Sequence, residues 1–499
     1  MHLRETVFCA STPPTGSGAI AVHDLKTGAT LASFKQSSSA PHSTAVVPTK
    51  DRIGGLIFAV QQEKSILNLY NFQKDQISSK IVLPEKLSCI AVDRAGQYLA
   101  GGTAQGRIYL WELASGILYN AWDAHYRKVT VLQFTNDGAA LLSGSEDSGL
   151  SVWSVSRLLD DDTQNEATAP YCVLSDHTLP VTDIVCGVGV FPRCRILSAS
   201  IDHSVKLWDL ASRTLLTTFL FPHPISCLAW DVTERVFFAA SPEGSVHQVN
   251  LFRERDGPGN YEAVGGAGSA DIIRIGDEER SKAQKRRLIS VDEPVISLAI
   301  SLTSTLLLAG TAAGIIHIFD IPSHQLLRSI STHKGTSITY LSTMLRPPDL
   351  VGHVSLTVHS GPSSDGEGIP VRSVAPLQRM RDAKTRELHE ITVMLPHSST
   401  YQAEADVYTA ENLLRDHEFF VQSGVSANSN AQDPVSLQSR VNELETEIAS
   451  LREQLGKAKG LNDAMWETVV HKVIGKDKDA SAPHEEREEP RRKRGRTDS

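Results

Sequence analysis

Seven ten-residue windows of this chain align with one another without a gap, and that repetition constrains the fold more than any other feature. They are TGSGAIAVHD from Thr15, QEKSILNLYN from Gln62, TAQGRIYLWE from Thr103, SEDSGLSVWS from Ser145, SIDHSVKLWD from Ser200, SPEGSVHQVN from Ser241 and TAAGIIHIFD from Thr311. Their starts lie 47, 41, 42, 55, 41 and 70 residues apart. The short spacings match a four-stranded unit repeating every ~40–45 residues. Each window opens with turn formers and then alternates: Val205 and Leu207 point one way, Ser204 and Lys206 the other. That is the pattern of a half-buried strand. Apolar runs with small residues precede most windows (LIFAV, YLAGG, LLSGS, RILSAS, VFFAA, LLLAG) and read as the strand across the turn. Further upstream, LSCIAV, VTVLQF, VTDIVC, ISCLAW and VISLAI read as the innermost strand of each unit.

Seven such units make an all-β, seven-bladed β-propeller over residues 1–345. TVFCAS (Thr6 to Ser11) is already a second strand, with no room for an innermost one before it. SITYLSTML (Ser337 to Leu345) is an orphan innermost strand, expected to complete the first blade and close the ring. Closure protects the sheet edges. Two blades carry four residues at matching spacing: His125, Ser143, Asp147 and Trp153, then His177, Ser198, Asp202 and Trp208. At these positions the chain resembles the WD-repeat family, in which the four side chains form a hydrogen-bonded chain that locks a blade. The same residue types could be read as a Ser/His/Asp triad. The constellation recurs in two neighbouring blades, as a structural device does, so no catalytic residue is assigned. Buried carboxylates and hydroxyls need such partners in any case. In the other blades Gln105, Ala313, Glu243, Lys64 and Ser17 replace the Asp. Phe319, Val249, Tyr70 and His23 replace the Trp, and these blades are expected to hold by packing alone.

An insertion from Arg253 to Arg287, Gly-rich and ending in KAQKRR, interrupts the ring before the last blade. It reads as a solvated disordered loop, or alternatively as a loop contacting RNA or a partner. DDDTQNE (Asp160 to Glu166) reads as a surface loop. Residues 346–433 are expected to pack irregularly on the propeller or a partner, with HEITVML as a further strand and VYTAENLLRDHEFFVQ as a helix. Residues 434–475 carry the helical tail. Leu437, Val441, Leu444, Ile448, Leu451 and Leu455 form a heptad seam that favours a parallel two-stranded α-helical coiled coil, with Arg440 facing Glu445 and Glu447 facing Arg452 across it. A homodimer is the first reading; pairing with another chain, or with the chain's own propeller, is the alternative. Past Gly456 and Gly460, Leu461, Met465, Val469 and Val473 line one stripe with Trp466 beside it, a helix suited to a partner's groove. Residues 476–499 are charged and expected to be disordered. Their cluster Arg491, Arg492, Lys493, Arg494 and Arg496 reads as a nuclear signal.

The net charge of −9 argues against a whole-surface nucleic-acid binder. The six cysteines form no C-x-x-C pair and no His/Cys cluster with zinc spacing, so no metal or other cofactor is expected. They read as buried reduced thiols of a cytosolic or nuclear protein. No signal peptide precedes the first blade, and no run of ~18 apolar residues would span a membrane.

The whole arrangement resembles the WD-repeat Ipi-type pre-ribosomal-RNA-processing proteins of fungi, related to an animal WD-repeat protein of the same role. The resemblance rests on a first blade beginning almost at residue 1, on SEDSGLSVW and SIDHSVKLWD, on KRRLISVDEPVISLAIS leading into the last blade, and on the coil LQSRVNELETEIASLREQL followed by LNDAMWETVV. It implies a non-enzymatic scaffold subunit of a nuclear Rix-type complex, in nucleoplasm and nucleolus, with an α-solenoid scaffold and a further helical-repeat subunit as partners. It implies action on the large-subunit (pre-60S) precursor, removal of the second internal transcribed spacer and recruitment of an AAA-type remodelling ATPase. A role in replication licensing on chromatin is a further implication. The propeller rim and the Trp466 segment are then expected to hold the scaffold partner. The competing reading is a ubiquitin-ligase substrate receptor. Such receptors often carry W-D-x-R at a blade end, whereas Ala211 stands where the Arg would be.

Overall fold

The computed structural model describes residues 4–48, 54–160, 168–254, 261–264, 272–275, 288–347, 350, 374–381, 444–457 and 459–460. Seven antiparallel sheets, each with a four-stranded core, follow one another along the chain. Blade 1 runs, from the axis outward, Ser337–Leu345, Glu5–Thr12, Gly18–Asp24 and Thr30–Ser37. Blade 2 is Thr44–Pro48, Gly55–Val60, Ile66–Asn71 and Ile77–Val82; blade 3 is Leu87–Val92, Tyr98–Thr103, Arg107–Glu112 and Leu118–Asp123. Blade 4 is Val129–Phe134, Ala140–Ser145, Leu150–Ser154 and Cys172–Leu174, with a short helix, Val155–Leu159, before its outer strand. Blade 5 is Val181–Cys186, Arg195–Ser200, Ser204–Asp209 and Thr214–Leu220; blade 6 is Cys227–Trp230, Val236–Ala240, Ser245–Asn250 and Leu288–Ser290. Blade 7 is Val295–Ile300, Leu306–Thr311, Ile316–Asp320 and Leu326–Ile330.

The ring closes through the chain's own ends. Ser337–Leu345 pairs antiparallel with Glu5–Thr12 (Val7 opposite Thr343, Phe8 opposite Ser342), with a bulge after Ala10. Each of the seven interfaces between neighbouring blades holds its own apolar cluster. Both faces of a blade are therefore covered, and this corrects the half-buried reading of the third strands. Ser204 and Lys206 are buried along with Val205 and Leu207, and Lys206 Nζ donates to Thr218 Oγ1 at 3.3 Å.

The innermost strands of neighbouring blades belong to separate sheets, so their edge carbonyls need other donors. Side-chain hydroxyls supply them. Ser88 donates to the Val129 carbonyl (2.6 Å), Thr130 to Val181 (2.7 Å), Thr182 to Ile225 (2.8 Å), Ser226 to Val295 (3.0 Å) and Ser297 to Ile338 (3.0 Å). The small hydroxyl near the start of LSCIAV, VTVLQF, VTDIVC and ISCLAW is thus a blade-to-blade belt. The turn opening the seventh window has its own constraint. Gly314 sits at φ +85°, and a Cβ there would overlap the His333 carbonyl oxygen, so only glycine fits.

Two corrections concern the 253–287 insertion. The 253–287 insertion lies inside blade 6, between its third and outer strands, because LIS (Leu288–Ser290) is that blade's outer strand. The insertion is also more than a loop. Phe252–Glu254 pairs with Tyr261–Ala263, and Ile272–Arg274 adds in parallel to Thr214–Leu220 as a fifth strand on blade 5. These three-residue strands are too short to show a period, so the sequence carries no strand signal for them. The extension after blade 1 returns to the ring: Leu350 is buried among Phe8, Tyr70 and Phe72, and Leu377 among Trp111, Leu113 and Leu118. HEITVML and residues 407–422 lie outside the described residues.

Two compact units divide the chain at Leu395. In the second, residues 444–457 form a helix with Leu444, Ile448, Leu451 and Leu455 between 47% and 73% exposed along one stripe. Glu453 and Lys457 pair on its surface at 2.7 Å. Among the described residues no helix is long and apolar enough to cross a membrane. All six cysteines are free; Cys172 and Cys186 are only half-buried, the other four buried.

Candidate functional site

In blade 4 the connector from blade 3 brings His125 over the second and third strands. His125 Nε2 lies 2.8 Å from Ser143 Oγ and its Nδ1 3.2 Å from Asp147 Oδ2, while Trp153 Nε1 donates to Ser143 Oγ at 2.9 Å. Blade 5 repeats the chain. His177 Nε2 is 2.8 Å from Ser198 Oγ, its Nδ1 is 2.9 Å from Asp202 Oδ2, and Trp208 Nε1 donates to Ser198 Oγ at 2.8 Å. Each carboxylate also caps its turn. Asp147 accepts from the Gly149 and Tyr126 N–H groups, Asp202 from Ser204 Oγ and the Thr178 N–H. Burial alone would raise Asp147. The His125 hydrogen bond and charge and the two backbone donors outweigh it and hold its pKa at about 2. Asp202 is held well below the carboxylate range too: burial is outweighed by His177, Ser204 and Thr178.

The order Asp–His–Ser is that of a hydrolytic triad, but the geometry serves another end. Ser143 and Ser198 are fully buried, and each hydroxyl oxygen already takes an indole N–H. An attacking nucleophile needs an open approach to its substrate. What the four side chains do is join the second strand, the third strand, the turn between them and the connector from the preceding blade.

The expectation that the other blades hold by packing alone is corrected for blades 1, 3, 6 and 7. In blade 6 His223 Nδ1 pairs with Glu243 Oε2 at 2.8 Å. In blade 7 Thr311 Oγ1 donates to Glu293 Oε2 at 2.6 Å, and in blade 3 the Tyr109 hydroxyl donates to Glu85 at 3.0 Å. In blade 1 the lock positions hold Cys9, His23 and His333. His23 Nε2 lies 2.8 Å from His333 Nε2, which is 3.4 Å from Cys9 Sγ. Aligning TVFCAS with ALLSGS puts Cys9 in the serine column, and the first window puts His23 in the tryptophan column. His333 comes from 310 residues beyond His23, a distance no local spacing reveals.

Blade 3 keeps its tryptophan but has Gly101 where the serine would be. Trp111 Nε1 donates instead to the Gln378 carbonyl at 2.9 Å, and the Ala375 and Gln378 N–H groups bond to Leu113 and Gly116. The extension thus supplies the acceptor that the blade lacks. Leu377→Ala should cost about 2 kcal/mol or more of stability, read as a shift in the denaturant midpoint.

Of the tail residues, Leu444, Ile448, Leu451 and Leu455 lie on the exposed stripe described above. Leu437, Val441, the Trp466 segment and the basic cluster from Arg491 to Arg496 lie outside the described residues.

Comparison with known proteins agrees with this geometry. The family model described as WD domain, G-beta repeat matches residues 116–154 and 169–209, the stretches that carry the complete locks. The chain is 33% identical to a pre-rRNA-processing protein IPI3 of Mycosarcoma maydis, over 87% of its own length and 89% of that protein. It is 31% identical to a pre-rRNA-processing protein IPI3 of Yarrowia lipolytica, over 91% and 96%. It is 30% identical to WD repeat-containing protein 18 of Homo sapiens, over 66% and 71%.

Proposed function

The chain belongs to the IPI3 family of WD-repeat pre-rRNA-processing proteins, and from that premise we propose that it is a non-enzymatic scaffold subunit of a nuclear complex maturing the large ribosomal subunit. The observation that carries the reading is similarity to IPI3 proteins over nearly the whole length of both chains. The finer role is removal of the second internal transcribed spacer, with a helical-repeat scaffold and a remodelling ATPase as partners and a further contribution to replication licensing. The physical features that support a scaffold are a ring whose two His–Ser–Asp–Trp sets are spent on locking blades, and a separate helix with an exposed apolar stripe. Nuclear entry is assigned to the cluster Arg491 to Arg496, and the Trp466 segment to partner binding.

Immunopurification of the intact protein from nuclei, with mass spectrometry and RNA sequencing, tests this. Co-purified pre-ribosomal proteins, with spacer-containing precursors that accumulate on depletion, are the expected result. Cullin adaptors in their place would replace it with the ubiquitin-ligase reading. For the tail we propose parallel self-association through Leu437 to Leu455. Leu444→Asp combined with Leu451→Asp should then give a monomer by light scattering. An unchanged mass overturns the dimer.

A further inference from the structure

We propose that Cys9, His23 and His333 form a binding site for a soft transition-metal ion, zinc foremost, that pins the propeller where its two ends meet. Their three donor atoms lie within 4.8 Å of one another, with Cys9 and His23 buried and His333 half-buried. One thiolate and two imidazoles are a donor set suited to zinc. The contrast with blades 4 and 5 gives the argument its force. There the same positions hold a serine hydroxyl and an indole whose nitrogen has no free lone pair. In blade 1 both are exchanged for metal-ligand types, and the turn carboxylate is lost to Ser17.

The surroundings fit a ligand set. Thr30 Oγ1 lies 3.2 Å from His23 Nδ1, which turns Nε2 toward the centre as outer-shell partners of metal-bound histidines do. Burial, then His333, lowers the His23 pKa to about 4, and burial lowers His333 as well. An imidazole binds a metal through a ring-nitrogen lone pair, and the two rings bring their Nε2 atoms together beside Cys9 Sγ. Burial pushes the Cys9 thiol up to about 12. On binding, the S–H bond gives its proton to solvent as the sulfur–metal bond forms, with no change of oxidation state. Zinc–nitrogen bonds of ~2.0–2.1 Å in tetrahedral geometry place two nitrogens roughly 3.3 Å apart. The present 2.8 Å between the imidazoles must open by roughly half an ångström. His333 can supply this, because it lies in a turn between Ile330 and Ser337 rather than in a strand. Water takes the fourth position.

Such an ion would tie two N-terminal strands to the connector that leads into the closing strand. The full-length protein, stripped with a chelator, is titrated with Co²⁺ and then Zn²⁺. The expected result is one equivalent of Co²⁺ with a thiolate-to-cobalt charge-transfer band, displacement by Zn²⁺, and a melting temperature that rises with Zn²⁺. Cys9→Ser restores the hydroxyl of the other locks, so the fold survives while the band is lost. His333→Ala should abolish the band too. The proposal is overturned if no stoichiometric binding occurs, or if the band persists in Cys9→Ser, which would place the metal on other thiols.

Discussion

Asp202→Ala is expected to destabilise the protein by about 3–5 kcal/mol, among the largest effects of any single substitution in the ring. The change takes the carboxylate from His177 Nδ1, in a side chain with no solvent exposure, leaves it only Ser204 Oγ at 3.3 Å, and releases the turn held by Ser204 and Thr178. Exchanging a charged acceptor for a longer contact to a hydroxyl, inside a buried site, costs more than the lost hydrogen bond alone. Chemical denaturation measures the loss; a shift below about 1 kcal/mol would show the lock to be ornamental. Asp147 adds a pH signature. Its folded pKa of about 2 lies below the ~3.9 of an unfolded aspartate. Its contribution is therefore complete above about pH 4 and is lost as pH falls toward about 2. Asp147→Ala should be less stable at neutral pH and should show a shallower decline over that acid window.

A chain ending at Thr336 should fail to form the ring, whereas one ending at Arg381 should fold and melt cooperatively. The closing strand Ser337–Leu345 covers the inner edge of Glu5–Thr12 and buries Ile338 and Leu341 against blade 7. Its removal exposes a long unpaired edge and an apolar interface at once. A domain stabilised by ~5–15 kcal/mol in total does not withstand that. Size-exclusion chromatography and thermal melting separate the outcomes, and a folded monomer ending at Thr336 would disprove the closure argument. The longer control retains Leu377 and Gln378, which complete blade 3.

Much of this was legible in the sequence because a propeller writes its period into the chain. Turn residues and apolar runs recur in each blade, and His125 to Trp153 and His177 to Trp208 each fall within one repeat unit. The hydroxyl belt was visible as Ser88, Thr130, Thr182 and Ser226 but carried no meaning until neighbouring innermost strands were side by side. Strands such as Ile272–Arg274 left no trace, because three residues show no period and their partner is some fifty residues away.

The chain by itself determined the repeat unit, the number of blades, the two complete locks and the strand that closes the ring. All of these depend on residues close in sequence, or on a pattern recurring at a fixed interval. Only the tertiary structure decided which partners the residues at the lock positions of the remaining blades find. Trp111 finds its acceptor on Gln378, and Cys9 and His23 meet His333, across separations of 267 and 310 residues for the Trp111 and His23 contacts. A closed ring brings its two ends together, so contacts at the seam are set by three-dimensional proximity and leave no local pattern to read.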